Sequence, residues 1–252
     1  MAIYTISDLH LSFNTDKPMN IFGSGWTDYE NKIRQNWESS VKEDDYVILP
    51  GDHSWALRTE EALQDLRFIH NLPGRKILLK GNHDLWWATS KKMEEFKGKY
   101  DLNSLYFFYN DYLEIPSDDK IHTIAGTRGW LCPGDNEYKV STDEKIYIRE
   151  SLRLSLSLEK AHNSLNKIPE SKRGNLYVFM HYPPYNIHKD TLFTQEIEKY
   201  NVSTCYYGHI HGFSKKEIKE APRTSIRLYE KGAMYSLVSC DYTDFQLVKV
   251  SD

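Results

Sequence analysis

The chain has 252 residues, a formal net charge of −4, 40% hydrophobic and 13% aromatic residues. That length supports one good-sized core, so a single domain over residues 1–252 is expected. Lys and Arg are scattered rather than massed, which speaks against long nucleic-acid tracts as partners, and Lys91-Lys92 and Lys215-Lys216 read as solvated surface.

In chain order, residues 3–7 read as a first strand, followed by a polar, turn-rich surface loop. With a strand so close to Met1 there is no room for a signal peptide, and no apolar run is long enough to cross a bilayer; a cytoplasmic protein without membrane contact is expected. Asp28 starts a helix through Val41, and residues 46–49 form a second strand. Thr59 caps a helix carrying Ala62, Leu63, Leu66 and Ile69 at helical spacing, which Pro73-Gly74 ends. A strand at 77–79, a helix at 89–96 and strands at 105–109 and 121–125 follow. The long helical pattern over 143–165 is expected to bury Leu152, Leu156 and Leu165. A strand at 176–180, a helix at 191–200 and a strand ending at Tyr207 come next. Stretches near Ile226, Leu237 and Leu247 are expected to close the chain as an antiparallel set. Strand-helix alternation followed by strands suggests two packed sheets flanked by helices.

Seven potential metal-binding side chains sit at the ends of these strands: Asp8, His10, Asp52, Asn82, His181, His209 and His211. Each follows an apolar run and falls in a Gly- or Pro-marked segment, in IYTISDLH, YVILPGDH, KILLKGNHD, LYVFMHYPP and TCYYGHIHG. Residues two apart on extended backbone point to the same side, so Asp8 with His10, and His209 with His211, can each grip one metal together. By the same rule His53, next to Asp52, points away and stays outside the set. Imidazole, carboxylate and amide donors without thiolate suit two divalent or mixed-valence ions of Mn, Fe or Zn. Cys132, Cys205 and Cys240 form no C-x-x-C spacing and read as buried small apolar residues.

The five segments, in this order, resemble the pattern D-x-H, G-D, G-N-H-D/E, H, G-H-x-H of the calcineurin-like metallophosphoesterase superfamily. GDHSWA, KGNHDLWW and GTRGW are also similar to a bacterial subgroup of predicted phosphohydrolases. The resemblance implies a four-layer α/β/β/α sandwich of two mixed sheets. It implies that Asp8, His10 and His211 hold one metal, that Asn82, His181 and His209 hold the other, and that Asp52 bridges them. A metal-bound hydroxide would then attack phosphorus, so no Ser or Cys nucleophile is needed.

In-line attack also needs a proton for the leaving oxygen and positive charge around the phosphoryl group. His83 is the candidate for both, with Asp84 resembling the family's orienting carboxylate; a helix-start cap is the other reading of Asp84. Arg128, in GTRGW after a strand, could clamp a phosphate or form a surface ion pair. Trp26, Trp55, Trp86, Trp87 and Trp130 lie close to motif residues and could line a pocket, although packing is the commoner use of tryptophan. Tyr182-Pro183-Pro184 stiffens the loop after His181. These residues point to hydrolysis of a small phosphorylated substrate, a phosphomonoester or phosphodiester. A nuclease-type phosphodiesterase and a non-catalytic metal-binding module are the alternatives, the latter opposed by the full ligand set together with His83.

Overall fold

The computed structural model describes residues 1–186, 190–212, 227–230 and 232–251, the side chains of 227–230 excepted. The expected strand near Ile226 and the Lys215-Lys216 pair fall outside these residues at those positions. The first half runs β1 (Ile3–Thr5), α1 (Tyr29–Ser40), β2 (Tyr46–Pro50), α2 (Leu63–Asn71), β3 (Arg75–Leu79), α3 (Ser90–Lys99) and β4 (Leu105–Phe107). The second half runs β5 (Tyr112–Ser117), β6 (Lys120–Thr127), α4 (Val140–Leu165), β7 (Arg173–Met180), α5 (Leu192–Glu198), β8 (Val202–Tyr207), β9 (Arg227–Glu230), β10 (Ala233–Leu237) and β11 (Val248–Ser251).

Two mixed sheets result, with strand orders β11-β1-β2-β3-β4 and β5-β6-β7-β8-β10-β9. Within the first, β1 to β4 are parallel and β11 is antiparallel to β1. Within the second, β6, β7, β8 and β10 are parallel, flanked by antiparallel β5 and β9. The expected antiparallel closing set is therefore corrected: β10 pairs parallel with β8, and β11 crosses to the other sheet. Strand β5 has no counterpart in the sequence reading. It carries Pro116, which an edge strand tolerates because its missing N–H need not face a neighbour.

Strand alternation sorts the side chains into three cores. Val47, Leu49 and Leu78 face α1 to α3, whereas Ile48, Ile77 and Leu79 face the other sheet. Across the gap, Phe179 and Tyr206 meet them, while Val178, Met180, Cys205 and Tyr207 turn toward α4 and α5. Strands buried on both faces read as continuous apolar runs, which is why VILP, KILL and YVFM looked like strand cores. Each large apolar side chain so buried contributes about 1.5–3 kcal/mol. The molecule is a four-layer α/β/β/α sandwich.

Two helix expectations need correction. Leu152 and Leu156 are 60% and 58% exposed. The buried face of α4 instead carries Tyr147, Glu150, Leu154, Ser157, Leu158 and Ala161, because its polar members bond to the sheet: Ser157 Oγ accepts the Gly126 amide at 2.9 Å. Thr59 does not cap α2; its hydroxyl donates to the Trp86 carbonyl at 2.8 Å.

Candidate metal centre

The parallel strands of both sheets deliver their carboxyl ends to one crevice, the usual ligand position in open α/β sheets. After β1 the chain leaves its sheet: Ser7 pairs with Ser239 beyond β10, so the two sheets are stitched together at the site. Asp8 N donates to the Gly51 carbonyl at 3.0 Å and His10 N to the Asp52 carbonyl at 3.0 Å, zipping the first two loops. Asp8, His10, Asp52 and His209 have φ of 60°, 46°, 55° and 71°. Side-chain-bearing residues in this left-handed region cost about 1–3 kcal/mol each and persist where surrounding structure holds them, commonly at functional sites. The two i, i+2 pairs thus converge as expected, but through left-handed turns rather than extended backbone. Motif glycines make room: a Cβ on Gly81 would collide with the Asp52 carboxylate, and one on Gly208 with that of Asp8.

All seven expected side chains meet. His10 Nε2 lies 3.2 Å from His211 Nε2, which is 3.4 Å from Asp8 Oδ1. Asn82 Oδ1 lies 2.5 Å from His181 Nε2 and 3.0 Å from His209 Nδ1. Asp52 Oδ2 stands between the two sets, 3.4 Å from His181 Nε2 and 3.8 Å from His10 Nε2. The sets Asp8-His10-His211 and Asp8-Asp52-His181 each gather donor atoms within 4.8 Å of one another. Outer partners fix the tautomers. His181 Nδ1 donates to the Pro50 carbonyl at 3.1 Å and His211 Nδ1 to Asp241 Oδ1 at 2.9 Å, leaving each Nε2 lone pair for the centre.

The model of the calcineurin-like phosphoesterase family matches residues 1–213. The chain belongs to the calcineurin-like phosphoesterase family. Among curated proteins, the Gene 66 protein of Mycobacterium phage L5 is 29% identical over 94 residues, 37% of this chain and 45% of that protein, so the match spans less than half of the relative's length. Among solved structures, the phosphopantetheinyl hydrolase of Mycobacterium tuberculosis is 16% identical over 99% of this chain and 95% of that one, with a TM-score of 0.53. A protein of unknown function from Aquifex aeolicus is 18% identical over 98% and 95% of the two chains, with a TM-score of 0.48. The metallophosphatase fold implied by the sequence is the fold observed. Among the described residues no helix is long and apolar enough to cross a membrane.

The family's divalent metals suit this donor set. Burial lowers the basicity of His10, of His181 to about 4 and of His209 to about 3, keeping them as the neutral imidazoles that bind metals. Burial acts the same way on His211, but the hydrogen bonds its ring donates to Asp241 and Asp8 overcome it and raise the ring to about 10, so a bound ion would have to take the place of the Nε2 proton. For Asp52, burial and the nearby Asp84 and Asp8 push the carboxyl well above its usual range. Three buried carboxylates crowded in this way call for positive charge, and a divalent ion beside Asp52 would reverse its shift. Asp8 is pinned by the Ser7 and Ser239 hydroxyls and by the His209 amide at 3.0 Å.

His83 stands at the rim, its ring 4.3 Å from Trp55 and 5.6 Å from His10, while its amide donates to Asp52 Oδ1 at 2.8 Å. Burial lowers its basicity, and Asp84 opposes without overcoming that. Asp84 neither hydrogen-bonds the His83 ring nor caps a helix; α3 starts at Ser90 behind Thr89. Its buried oxygens accept from the amides of Gly81 (2.7 Å), His53 (2.8 Å), Asp52 (2.9 Å) and Ser54 (3.4 Å) and from Trp86 Nε1 (3.0 Å). Asp84 thus clamps the loops after β2 and β3, and acts on His83 through its charge and the shape of those loops rather than through a hydrogen bond to the ring.

Arg128 lies beside the centre: its carbonyl accepts the amides of His181 and Tyr182 at 3.2 and 2.9 Å. Its guanidinium stacks over Trp130 at 4.5 Å and reaches Glu150 at 3.9 Å. His53 points away, with Nε2 2.8 Å from the Leu79 carbonyl. Trp26, Trp86 and Trp87 pack in the first core, whereas Trp55 stacks on His10 and Trp130 packs tilted against Tyr182. All three cysteines are buried and free. Two neighbours escaped the sequence reading. Asp241 sits in no motif, and Tyr182, treated there only as loop support, lays its ring 4.2 Å from His209.

Proposed function

We propose that residues 1–252 act as one catalytic unit that hydrolyses a phosphomonoester or phosphodiester of a small molecule or nucleotide at a two-metal centre. The observation that carries this reading is the pair of donor sets with Asp52 Oδ2 between them, 3.4 Å from His181 and 3.8 Å from His10. Asp8, His10 and His211 would hold one ion, Asn82, His181 and His209 the other, and Asp52 both. Nitrogen and oxygen donors without thiolate favour Mn, Fe or Zn. Bound ions would supply Lewis acidity and lower the pKa of a water enough for attack near neutrality.

The chain's own groups do the rest. Asp8 and Asp52 set the charge of the centre, while Asp241 and the Pro50 carbonyl keep the His211 and His181 rings aimed at it. His83 is half-buried at the mouth, where it would donate a proton to the leaving oxygen and place charge beside the phosphoryl group. The test is a metal-loaded screen over phosphomonoesters, bis-phosphodiesters, cyclic nucleotides and single-stranded DNA, with chelated protein as control. Chelator-sensitive turnover of small esters is expected. Absence of turnover on every substrate with Mn, Fe and Zn would overturn the reading, and turnover confined to DNA would replace it with a nuclease.

A further inference from the structure

Next to the metal centre, a cavity of about 300 Å³ opens between the ends of β3 and β6 and the middle of α4. Such a volume is at the lower end of small-ligand pockets. Its wall carries four cations, Lys80, Arg128, Arg149 and Arg153, and one carboxylate, Glu150. Arg149 and Arg153 are one turn apart on α4 and therefore lie on the same face. Glu150 is fully buried and already engaged: it accepts from Thr127 Oγ1 at 2.7 Å and from Arg153 Nη1 at 2.6 Å, with Arg149 at 3.4 Å and Arg128 at 3.9 Å. One carboxylate cannot balance this group. Lys80 has no ion-pair partner among the described residues.

Like charges are not gathered in a partly buried cleft without cost, and an oxyanion is the ligand that turns the cost into binding. Each guanidinium has five N–H donors, of which Glu150 takes only part, so forks remain for a phosphate. The cleft and the centre share their scaffold. Lys80 directly precedes the Gly81-Asn82 segment, and Arg128 holds the His181 and Tyr182 amides on its carbonyl. Tyr182 packs against both His209 and Trp130, and Trp130 in turn carries the Arg128 guanidinium. The segments that bear Asn82 and His181 are thus held by residues of the cleft wall.

We infer that the cleft formed by Lys80, Arg128, Arg149 and Arg153 is a second anion subsite, selecting substrates that carry a further phosphate group beside the ester cleaved. This rests on the phosphoesterase reading for its catalytic meaning, whereas anion binding does not. The probe is a series of alkane-α,ω-bisphosphonates of increasing chain length, which cannot be hydrolysed, compared by calorimetry with the matched alkyl monophosphonate on metal-loaded protein. In wild type, one chain length should bind at least about tenfold tighter than the monophosphonate, as expected for added charge-assisted hydrogen bonds. Arg149→Gln with Arg153→Gln should remove that advantage while leaving monophosphonate binding and p-nitrophenyl phosphate turnover within about twofold.

Should the double variant fold poorly, Arg149→Gln alone serves, since that side chain is 52% exposed and its bond to Glu150 is long at 3.4 Å. A folded variant that keeps the full bisphosphonate advantage overturns the subsite, as does a wild type that shows no gain at any length. Lack of turnover on every ester would instead strike at the catalytic reading, with the calorimetric difference still standing.

Discussion

In the metal centre His181 and His211 are each held by a second, fixed partner, whereas in the cationic cleft three guanidinium groups share the single carboxylate of Glu150. The centre lies on short, strained loops, with Asp8, His181 and Asp52 at most 1% exposed. The cleft draws on α4 and two strand ends, and its side chains of Arg149 and Arg153 are 52% and 43% exposed. Rigid, pre-aimed donors suit chemistry that tolerates little misplacement. Longer, half-solvated arms suit recognition, where a ligand completes the charge balance. The contrast implies that changes in the centre cost turnover by orders of magnitude, and that changes in the cleft shift preference among substrates.

The largest effect is expected for Asp52→Asn, which should lose both metals together and bring ester hydrolysis to background. Elemental analysis finding one tightly held zinc in both wild type and variant would break the two-metal side of the contrast. Next comes His83→Ala, expected to keep its metals while losing about 10²–10⁴ in rate on substrates with poor leaving groups. p-Nitrophenyl phosphate, whose leaving group needs little protonation, should suffer less; equal rates for variant and wild type on a poor leaving group would remove His83 from the mechanism. Asp241→Asn should lower metal affinity about 10–100-fold in the half held by His211, with the half around Asn82 unaffected, as competition with a graded chelator would read out. The smallest change is expected for Arg128→Lys, a few-fold loss in kcat/KM through the missing fork, at unchanged metal content and Tm. A fall in Tm without change in kcat/KM would confine Arg128 to its structural pairing with Glu150.

The same contrast explains what the sequence made legible. Asp8, Asp52, Asn82 and the histidines each follow an apolar strand in a Gly- or Pro-marked loop, so their chemistry and placement could be read together over a few residues. Lys80, Arg149 and Arg153 carry no such mark, and only folding brings α4 against the strand ends. Asp241 is likewise an ordinary carboxylate until β10 lies beside β8. Leu152 and Leu156 show the limit of periodicity, which defines a helix face without saying which face is inward; here Glu150, Ser151 and Ser157 bury instead, bonded or packed against the sheet. The hydrogen bonds of Asp84 to two loops depend on a backbone geometry that the letters GNHD do not specify.

The pairing of β1 with β11 governs when the molecule can be finished. Ile3 lies opposite Ser251 in that ladder, so the first sheet joins residues far apart in sequence. Contacts of such sequence separation pay a large loop-closure entropy and form slowly. During synthesis, β1 can pair with β2 early, while its other edge keeps unpaired amides and carbonyls until residues 248–251 arrive. The segment around Ser239, which meets Ser7 and donates a hydroxyl to Asp8, is late as well. The crevice is thus completed only once residues 239–251 have emerged, and a ribosome-stalled fragment ending before Ser239 would present an open strand edge and an incomplete set of partners for Asp8.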